Sequence, residues 1–378
     1  MTVSVPFNDP GRIYRRLRQP IDAAVSSVLA GGWYVGGPVV DKFEREFAAF
    51  AGLQQVVGVA NGTDAIALAL RALGVGAGDR VIVPAISAYP TTVGVYQAGA
   101  TPLYVDVDPR GLIDVEGVAA VSDGDVKALI CVHLFGHMAD AGRLRALADQ
   151  RGWSFVEDCA QSHGAVRDGR PAGTFGHAAA WSFYPTKNLG AFGDAGAVST
   201  EGGAALADKL RRLRNYGQRN RYEHVDRGFN SRLDPLQAAI LSVRLGHLAD
   251  ENRRRAEIAR RYDAALSGLP GLTLVGPAPG TVSSHHLYAL LIGQDGHSGR
   301  DAFQQQLKSN GIETLVHYPI AMPDQAASDP AWSGGRSFPV ARAFAGRVVS
   351  LPLYPDLRDE EVEAVTAAVR RWAAAGGR

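Results

Sequence analysis

The stretch GTFGHAAAWSFYPTKNLGAFGDAGAVST, residues 173–200, organises the chain around a single lysine. Lys187 is the only formally charged side chain between Ala178 and Gly193, and its neighbours are mostly small or aromatic. Partial desolvation of an ammonium group lowers its pKa and makes the amine a usable nucleophile. An ordinary solvated loop lysine is the alternative, but this setting favours a lysine that forms a Schiff base.

A hydroxyl group and a permissive backbone accompany this lysine. Ser182 precedes Lys187 on the same segment, and Gly190, Gly193 and Gly196 lead into the strand-like AGAVST. A hydroxyl and an amine on one sharply bent segment suit the phosphate and the aldehyde of a single cofactor. The segment therefore predicts a site for pyridoxal 5'-phosphate (PLP).

Composition and charge argue against several other classes of protein. The 378 residues suffice for one large and one smaller domain, and 46% of them are apolar. The formal net charge is +1, from 39 basic and 38 acidic residues, so no global field attracts nucleic acid or an anionic membrane. Cys131 and Cys159 lack the spacing of a metal site. Because no apolar run approaches the ~20 residues of a membrane span and the first residues lack a signal-peptide core, we expect a cytoplasmic protein that binds no metal.

Short apolar strands alternate with helical patterns from Arg80 to Cys159. This alternation predicts an α/β fold with a mostly parallel mixed sheet covered by helices on both faces. From about Leu272 the pattern changes to a smaller α+β unit. We place the boundary near Leu248, which gives a large PLP-binding domain, 1–248, with an N-terminal helix over 12–30, and a small C-terminal domain, 249–378. Ligands of such sheets bind beyond the carboxyl ends of the strands.

Two candidates for cofactor contacts stand where strands end. Gly62 and Thr63 lie between a strand and a helix, where backbone amides and the helix dipole form an anion site, although the same residues are ordinary helix-start chemistry. Asp158 follows directly after the mostly apolar run WSFVE. Burying a carboxylate at this place costs free energy unless the carboxylate meets a cation. A protonated pyridine nitrogen is such a cation, and its charge makes the ring an electron sink. The alternative role of Asp158 is a helix cap.

Further candidates are less specific. Gln161 and His163 follow Asp158 on one turn and could reach the cofactor ring or its 3-hydroxyl. Tyr89 follows another strand and is placed to stack on a flat ring, although an isolated aromatic more often belongs to the core. The basic run RNYGQRNRY, residues 214–222, includes Arg219. It either contacts a negatively charged substrate group, such as a diphosphate, or is a solvated surface.

Several ordered motifs together resemble one family. They are GGWYVGGPVVDKFEREFAAFAG (31–52), ANGTDAIALAL (60–70), VEDCAQSHGA (156–165), WSFYPTKNLGAFGDAGAV (181–198) and GFNSRLDPLQAAIL (228–241). They resemble the DegT/DnrJ/EryC1/StrS sugar-nucleotide aminotransferases, PLP enzymes with the aspartate aminotransferase-like fold, fold type I.

The resemblance implies a role for each matching residue. The implied cofactor contacts are Gly62, Thr63, Tyr89, Asp158, Gln161, Ser182, Lys187 and Asn230. Lys187 would carry the cofactor and then move the proton, and Asp158 and Gln161 would hold the pyridine nitrogen and the ring side. Gly62, Thr63 and Ser182 would bind the phosphate, and Tyr89 would stack on the ring. Asn230 would reach the phosphate of the neighbouring subunit's cofactor, which requires a homodimer with shared sites.

The implied substrates are L-glutamate and a nucleotide-linked keto-sugar. The motifs HLFGHMAD, LRNYGQRNRY and NSRLD resemble members that aminate C3 of a dTDP-3-keto-6-deoxyhexose, giving a dTDP-3-amino-3,6-dideoxyhexose. The implied substrate contacts are Tyr34, Tyr184, Arg219, His317 and Tyr318. After the last two residues the family more often has a Pro-x-His-x-Gln pattern, whereas this chain has Met322, Pro323 and Asp324. A C4-aminating enzyme and a keto-inositol aminotransferase therefore stay open.

Two other classes remain as alternatives. A pyridoxamine-dependent sugar dehydratase has histidine in place of the Schiff-base lysine, so Lys187 argues against it. A PLP-binding regulator or scaffold would be expected to lose the lysine or the pyridine-binding aspartate, and this chain keeps both.

Overall fold

The structure is a computed structural model that describes residues 4–293 and 299–376. Its α-helices are α1 (Pro10–Gly31), α2 (Pro38–Ala51), α3 (Gly62–Ala72), α4 (Pro90–Gln97), α5 (Val115–Ala119), α6 (Ala141–Arg151), α7 (Gly203–Leu213), α8 (Pro235–Leu245), α9 (Leu248–Leu266), α10 (Arg300–Ser309), α11 (Pro339–Arg347) and α12 (Asp359–Ala374). Short 3₁₀ helices cover Leu134–Gly136, Met322–Asp324 and Pro330–Ser333.

The strands are short, as the short apolar runs of the sequence predict. They are β1 (Gln55–Val59), β2 (Arg80–Pro84), β3 (Thr101–Val105), β4 (Val126–Val132), β5 (Ser154–Asp158), β6 (Val166–Arg167), β7 (Arg170–Pro171), β8 (Ala178–Ser182), β9 (Gly196–Thr200), β10 (Gln218–Asn220), β11 (Glu223–His224), β12 (Leu272–Val275), β13 (Thr281–Val282), β14 (Tyr288–Ile292) and β15 (Val348–Leu351).

Glycines end the first two helices. Helix α1 stops at Gly32 and α2 at Gly52, with φ of 69° and 66°. This left-handed conformation costs other residues free energy but suits glycine, which has no Cβ.

A seven-stranded sheet forms the centre, in the order β1-β9-β8-β5-β4-β2-β3. Neighbours from β8 to β3 run parallel, whereas β9 is antiparallel to both β1 and β8. The α/β fold with a mostly parallel mixed sheet is confirmed. The carboxyl ends of β2, β4, β5 and β8 open on one edge, where α3 and α4 begin.

A second core lies around the antiparallel sheet β12-β14-β15 and helices α9, α10 and α12. Tyr262, Phe303 and Trp372 are fully buried there, as is Val5 from the other end of the chain. The division into 1–248 and 249–378 stays a prediction. Within residues 4–293 and 299–376, every helix is too short or too polar to cross a membrane.

Candidate active site

A cavity of about 250 Å³ opens at the carboxyl edge of the central sheet. The predicted residues that line it are Gly62, Thr63, Asp158, Gln161, Ser182, Tyr184 and Lys187. They come from three separate stretches of sequence, so the fold brings together groups that the sequence could only propose one by one.

Lys187 lies in the loop that follows β8. Burial lowers the pKa of its ammonium to about 8, although the nearby Asp158 carboxylate raises it. The loop is fixed by Arg244, 2% exposed, which donates hydrogen bonds to the carbonyl oxygens of Gly190 and, at 3.4 Å, Asn188. A Cβ at Gly190 would lie 2.5 Å from the Pro185 oxygen, so this tight turn requires glycine.

Asp158, at the end of β5, is the only side chain of that strand that lines the cavity among the described residues. Its Oδ1 accepts a hydrogen bond from the Ala160 amide at 3.1 Å, and its Oδ2 accepts one from the Thr91 hydroxyl at 2.9 Å. Burial raises the pKa of this carboxyl, while these two donors and the charge of Lys187 act in the opposite direction. A cation placed beside it would favour the ionised form further.

The N-terminus of α3 approaches β8 closely. Asn61 caps the helix by accepting a hydrogen bond from the Asp64 amide at 2.8 Å. A Cβ at Gly62 would lie 2.6 Å from the Ser182 Cβ, so only glycine permits this contact. Among the described residues, the backbone amides of Gly62 and Thr63 have no hydrogen-bond acceptor. Together with the helix dipole and the Ser182 hydroxyl, they can hold an anion.

Gln161 connects the cavity to the second half of the chain. Its Oε1 accepts a hydrogen bond from the Phe135 amide at 2.6 Å, and its Nε2 donates to the Tyr318 hydroxyl at 3.1 Å. Tyr318 therefore contacts the site through Gln161. His317 instead pairs its Nδ1 with the Ser350 hydroxyl at 3.0 Å, and burial, with the charge of Lys187, lowers its pKa to about 4.

The other candidates are not among the residues that line the cavity. Tyr89 flanks it, since both sequence neighbours of Tyr89 line the cavity, and its hydroxyl hydrogen-bonds Ser328 at 3.2 Å. Tyr34 and Asn230 are exposed, and Arg219 is exposed and ion-paired with Glu223. His163 is fully buried against Phe47 and Trp181 in the aromatic core.

Several residues of the cavity could not be predicted from the sequence. Asn61, Thr91 and Asp194 line it. A threonine or asparagine near a helix start is common, so no local signal separates these residues from ordinary caps. Their positions depend on which strands are neighbours.

A buried cluster of His133, Glu157 and Cys159 has the ligand types of a metal site. However, the Glu157 carboxylate already accepts hydrogen bonds from three amides, Gly173, Phe175 and Gly176, and from the His133 ring at 2.9 Å. Four donors use the lone-pair positions of a carboxylate. Protein donors in the described part of the chain therefore fill the hydrogen-bonding positions of Glu157.

Comparison with known proteins decides the family. The sequence profile of the DegT/DnrJ/EryC1/StrS aminotransferase family matches residues 16–370. The chain belongs to this family.

Three relatives illustrate the match of this DegT/DnrJ/EryC1/StrS member. A dTDP-3-amino-3,4,6-trideoxy-alpha-D-glucose transaminase of Streptomyces venezuelae is 44% identical over 377 residues, which cover 98% of this chain and 97% of the relative. The crystal structure of S. venezuelae DesV in complex with a ketimine intermediate has a TM-score of 0.92 and 44% identity, covering 98% and 99% of the two chains. The structure of NtdA from Bacillus subtilis with bound cofactor PMP has a TM-score of 0.91 and 28% identity, covering 99% and 86%.

The segment in which this family member departs from the Pro-x-His-x-Gln pattern is well anchored. The Met322 amide donates to the Ala85 oxygen at 2.8 Å, and the Ser328 hydroxyl donates to the Met322 oxygen at 2.7 Å. Asp324 forms an ion pair with Arg342 at 2.8 Å. The three departing residues therefore lie on a segment held next to Tyr89.

Proposed function

We propose that this protein is a PLP-dependent aminotransferase that moves an amino group from L-glutamate to C3 of a dTDP-3-keto-6-deoxyhexose. The observation that carries the proposal is Lys187, with its lowered pKa, in one cavity with the buried Asp158 carboxylate and the N-terminus of α3. These three features suit the aldehyde, the pyridine nitrogen and the phosphate of one PLP molecule. Family membership supports the same reaction class.

When bound, PLP supplies an electron-withdrawing ring that stabilises the negative charge left when a neighbouring carbon loses its proton. Asp158 keeps the pyridine nitrogen protonated, since its carboxylate is buried and favours a cation beside it. Gly62, Thr63 and Ser182 hold the phosphate, with Asn230 of the second subunit completing the contact. Tyr89 and Gln161 orient the ring.

Lys187 has two tasks in this reaction. Lys187 would hold the cofactor's aldehyde carbon, a role that requires the neutral amine. As a free amine, Lys187 would be the group that moves a proton between the reacting carbons. A pKa of about 8 suits both directions, because neutral and protonated forms are both accessible near neutral pH.

The choice of substrate rests on the family and on the cavity rim. The S. venezuelae relative is named for a dTDP-3-amino sugar, and Tyr184 lies on the rim, 52% exposed. Tyr34, Arg219, His317 and Tyr318 are proposed as further substrate contacts. The relative's product lacks the C4 hydroxyl, so the 3,6-dideoxy and 3,4,6-trideoxy sugars are both to be tested.

The test is a turnover assay with a panel of keto-substrates. The protein is incubated with PLP, L-glutamate and either a dTDP-3-keto-6-deoxyhexose with or without its C4 hydroxyl, a dTDP-4-keto-6-deoxyhexose or a keto-inositol, and products are identified by mass spectrometry. We expect amination of a 3-keto sugar nucleotide. Preferred amination of the 4-keto sugar or of the keto-inositol would move the assignment to that substrate, and binding of PLP with no amination would support a regulator or scaffold.

We also infer a cytoplasmic homodimer whose two active sites are shared between subunits. Asn230 is exposed and does not line the cavity of its own chain, which supports this arrangement. Trp33 and Val35, in the connection between α1 and α2, are 61% and 54% exposed. Such exposed apolar side chains are typical of a surface that a second subunit covers.

A further inference from the structure

Two buried hydroxyl groups, one just before α4 and one in its first turn, connect to Asp158 through hydrogen bonds. The Thr91 hydroxyl lies 2.9 Å from the Asp158 Oδ2, and the Ser87 hydroxyl lies 3.0 Å from the Thr91 hydroxyl. Ser87, Thr91 and Asp158 are 3%, 1% and 5% exposed, and all three line the cavity. Bulk water therefore has little access to either hydrogen bond.

The direction of this chain follows from counting protons. An ionised carboxylate only accepts hydrogen bonds, so Thr91 must give its single hydroxyl proton to Asp158. The Thr91 oxygen then accepts from Ser87, which also has one hydroxyl proton to give. Ser87, Thr91 and Asp158 thus form a relay in which every proton points toward the carboxylate.

We propose that Ser87 and Thr91 are positioning residues that orient the Asp158 carboxylate and keep it ionised toward the cofactor's pyridine nitrogen. This inference rests on the proposed function, in which Asp158 pairs with that nitrogen. The Ala160 amide binds one carboxylate oxygen and Thr91 binds the other, so the plane of the group is fixed from both sides.

Neutral donors suit this task better than a cation. A buried arginine or lysine paired directly with Asp158 would also favour its ionised form, but it would compete with the pyridine nitrogen for the same negative charge. A hydroxyl stabilises the ionised carboxylate and leaves its charge for the cofactor. Serial hydroxyls strengthen one another, because each donor is polarised by the bond that it accepts.

The test compares substitutions at two adjacent buried threonines. Thr91→Val removes the hydroxyl and keeps the shape, whereas Thr91→Ser restores the hydroxyl. Thr92→Val is the matched control, since the Thr92 hydroxyl contacts the Tyr104 hydroxyl and the Met322 sulfur, both at 3.3 Å. PLP affinity is measured by equilibrium dialysis, and the absorbance of the bound cofactor is followed across pH.

We expect Thr91→Val to weaken PLP binding by about 10- to 100-fold, the usual effect of losing a hydrogen bond to a charged group, and to alter the pH titration of the bound cofactor. Thr91→Ser should restore both properties, and Thr92→Val should leave both unchanged. Because Thr91 acts through Asp158, Thr91→Val should have little further effect in an Asp158→Asn protein.

The possible failures are distinguishable. If the wild-type protein binds no PLP, the proposed function and the relay fall together. If the wild-type protein and Thr91→Val bind PLP with equal affinity and equal spectra, only the relay is overturned. Equal losses in Thr91→Val and Thr92→Val would also overturn it, because the effect would then be a general loss of packing.

Discussion

Lys187 and Asp158 carry opposite charges in one cavity, and burial acts against both charges. It lowers the pKa of Lys187 to about 8 and raises that of Asp158. Each group partly offsets the effect of burial on the pKa of the other.

This pKa gives a pH dependence for adduct formation. Only the neutral amine attacks the aldehyde, so the rate at which PLP forms a borohydride-reducible adduct should rise by ~10-fold per pH unit below the lysine pKa and level off above about 8. An exposed lysine in a short peptide, with a pKa near 10.5, is the control and should keep accelerating. A protein rate that climbs without a plateau to pH 10 would show that Lys187 is not desolvated.

The sequence predicted the two unusual charged residues but not the side chains that contact them. Lys187 and Asp158 could be identified because a charged group in or next to an apolar run is costly without a partner. Thr91 is an ordinary residue for its place near a helix start, and its contact with Asp158 spans 67 positions. Only the neighbouring positions of β2, β4 and β5 in the sheet bring the two side chains together.

Helix α3 and strand β8, which we propose hold the cofactor's phosphate, approach each other closely because Gly62 has no Cβ. Gly62→Ala would place a Cβ 2.6 Å from the Ser182 Cβ and must push the two elements apart. We expect at least a 10-fold loss of PLP affinity, the effect of one lost charge-assisted hydrogen bond. Gly76→Ala, whose nearest neighbour would be the Ala98 oxygen at 3.8 Å, is the matched control. Equal PLP affinity in the two variants would rule out this use of the helix N-terminus.

At the level of elements, periodicity and glycines predicted most of the helices and strands. Which strands lie next to each other was harder to predict from the sequence. Strand β9 lies between β1 and β8 and is antiparallel to both, and nothing within the apolar run AGAVST selects its neighbours. Strand order depends on packing between segments far apart in sequence.

At the scale of the whole molecule, contacts between distant parts of the chain hold the fold together. Arg12 in α1 forms a bidentate pair with the buried Glu361 of α12, with both contacts at 2.7 Å. Burial alone would raise the pKa of Glu361, but its hydrogen bonds to Arg12 and Arg358 lower it to about 2. Tyr318 meets Gln161 across 157 positions. Such contacts follow from tertiary structure, so the sequence could suggest Tyr318 only through a family resemblance.

Shared active sites predict complementation between inactive subunits. Lys187→Ala should be inactive because it lacks the nucleophile, and Asn230→Ala should lose most of its activity at limiting PLP because it lacks the phosphate contact that we propose it gives its partner. A heterodimer of the two has one intact site, so random subunit exchange should recover about one quarter of wild-type turnover. Differently tagged subunits report the exchange. Exchange without recovery, or full activity of Asn230→Ala alone, would contradict a shared site.

We propose that Lys187 carries out the transfer of the amino group from glutamate to a sugar nucleotide. This role can be tested by following the nitrogen atom of the amino donor. The PLP-loaded protein is given ¹⁵N-labelled L-glutamate and a dTDP-3-keto-6-deoxyhexose, and the product is analysed by mass spectrometry and NMR. We expect ¹⁵N bonded to C3 of the sugar with the wild-type protein and no labelled sugar with Lys187→Ala. Labelled product at equal yield from both proteins, or unlabelled sugar with the wild-type protein, would contradict it.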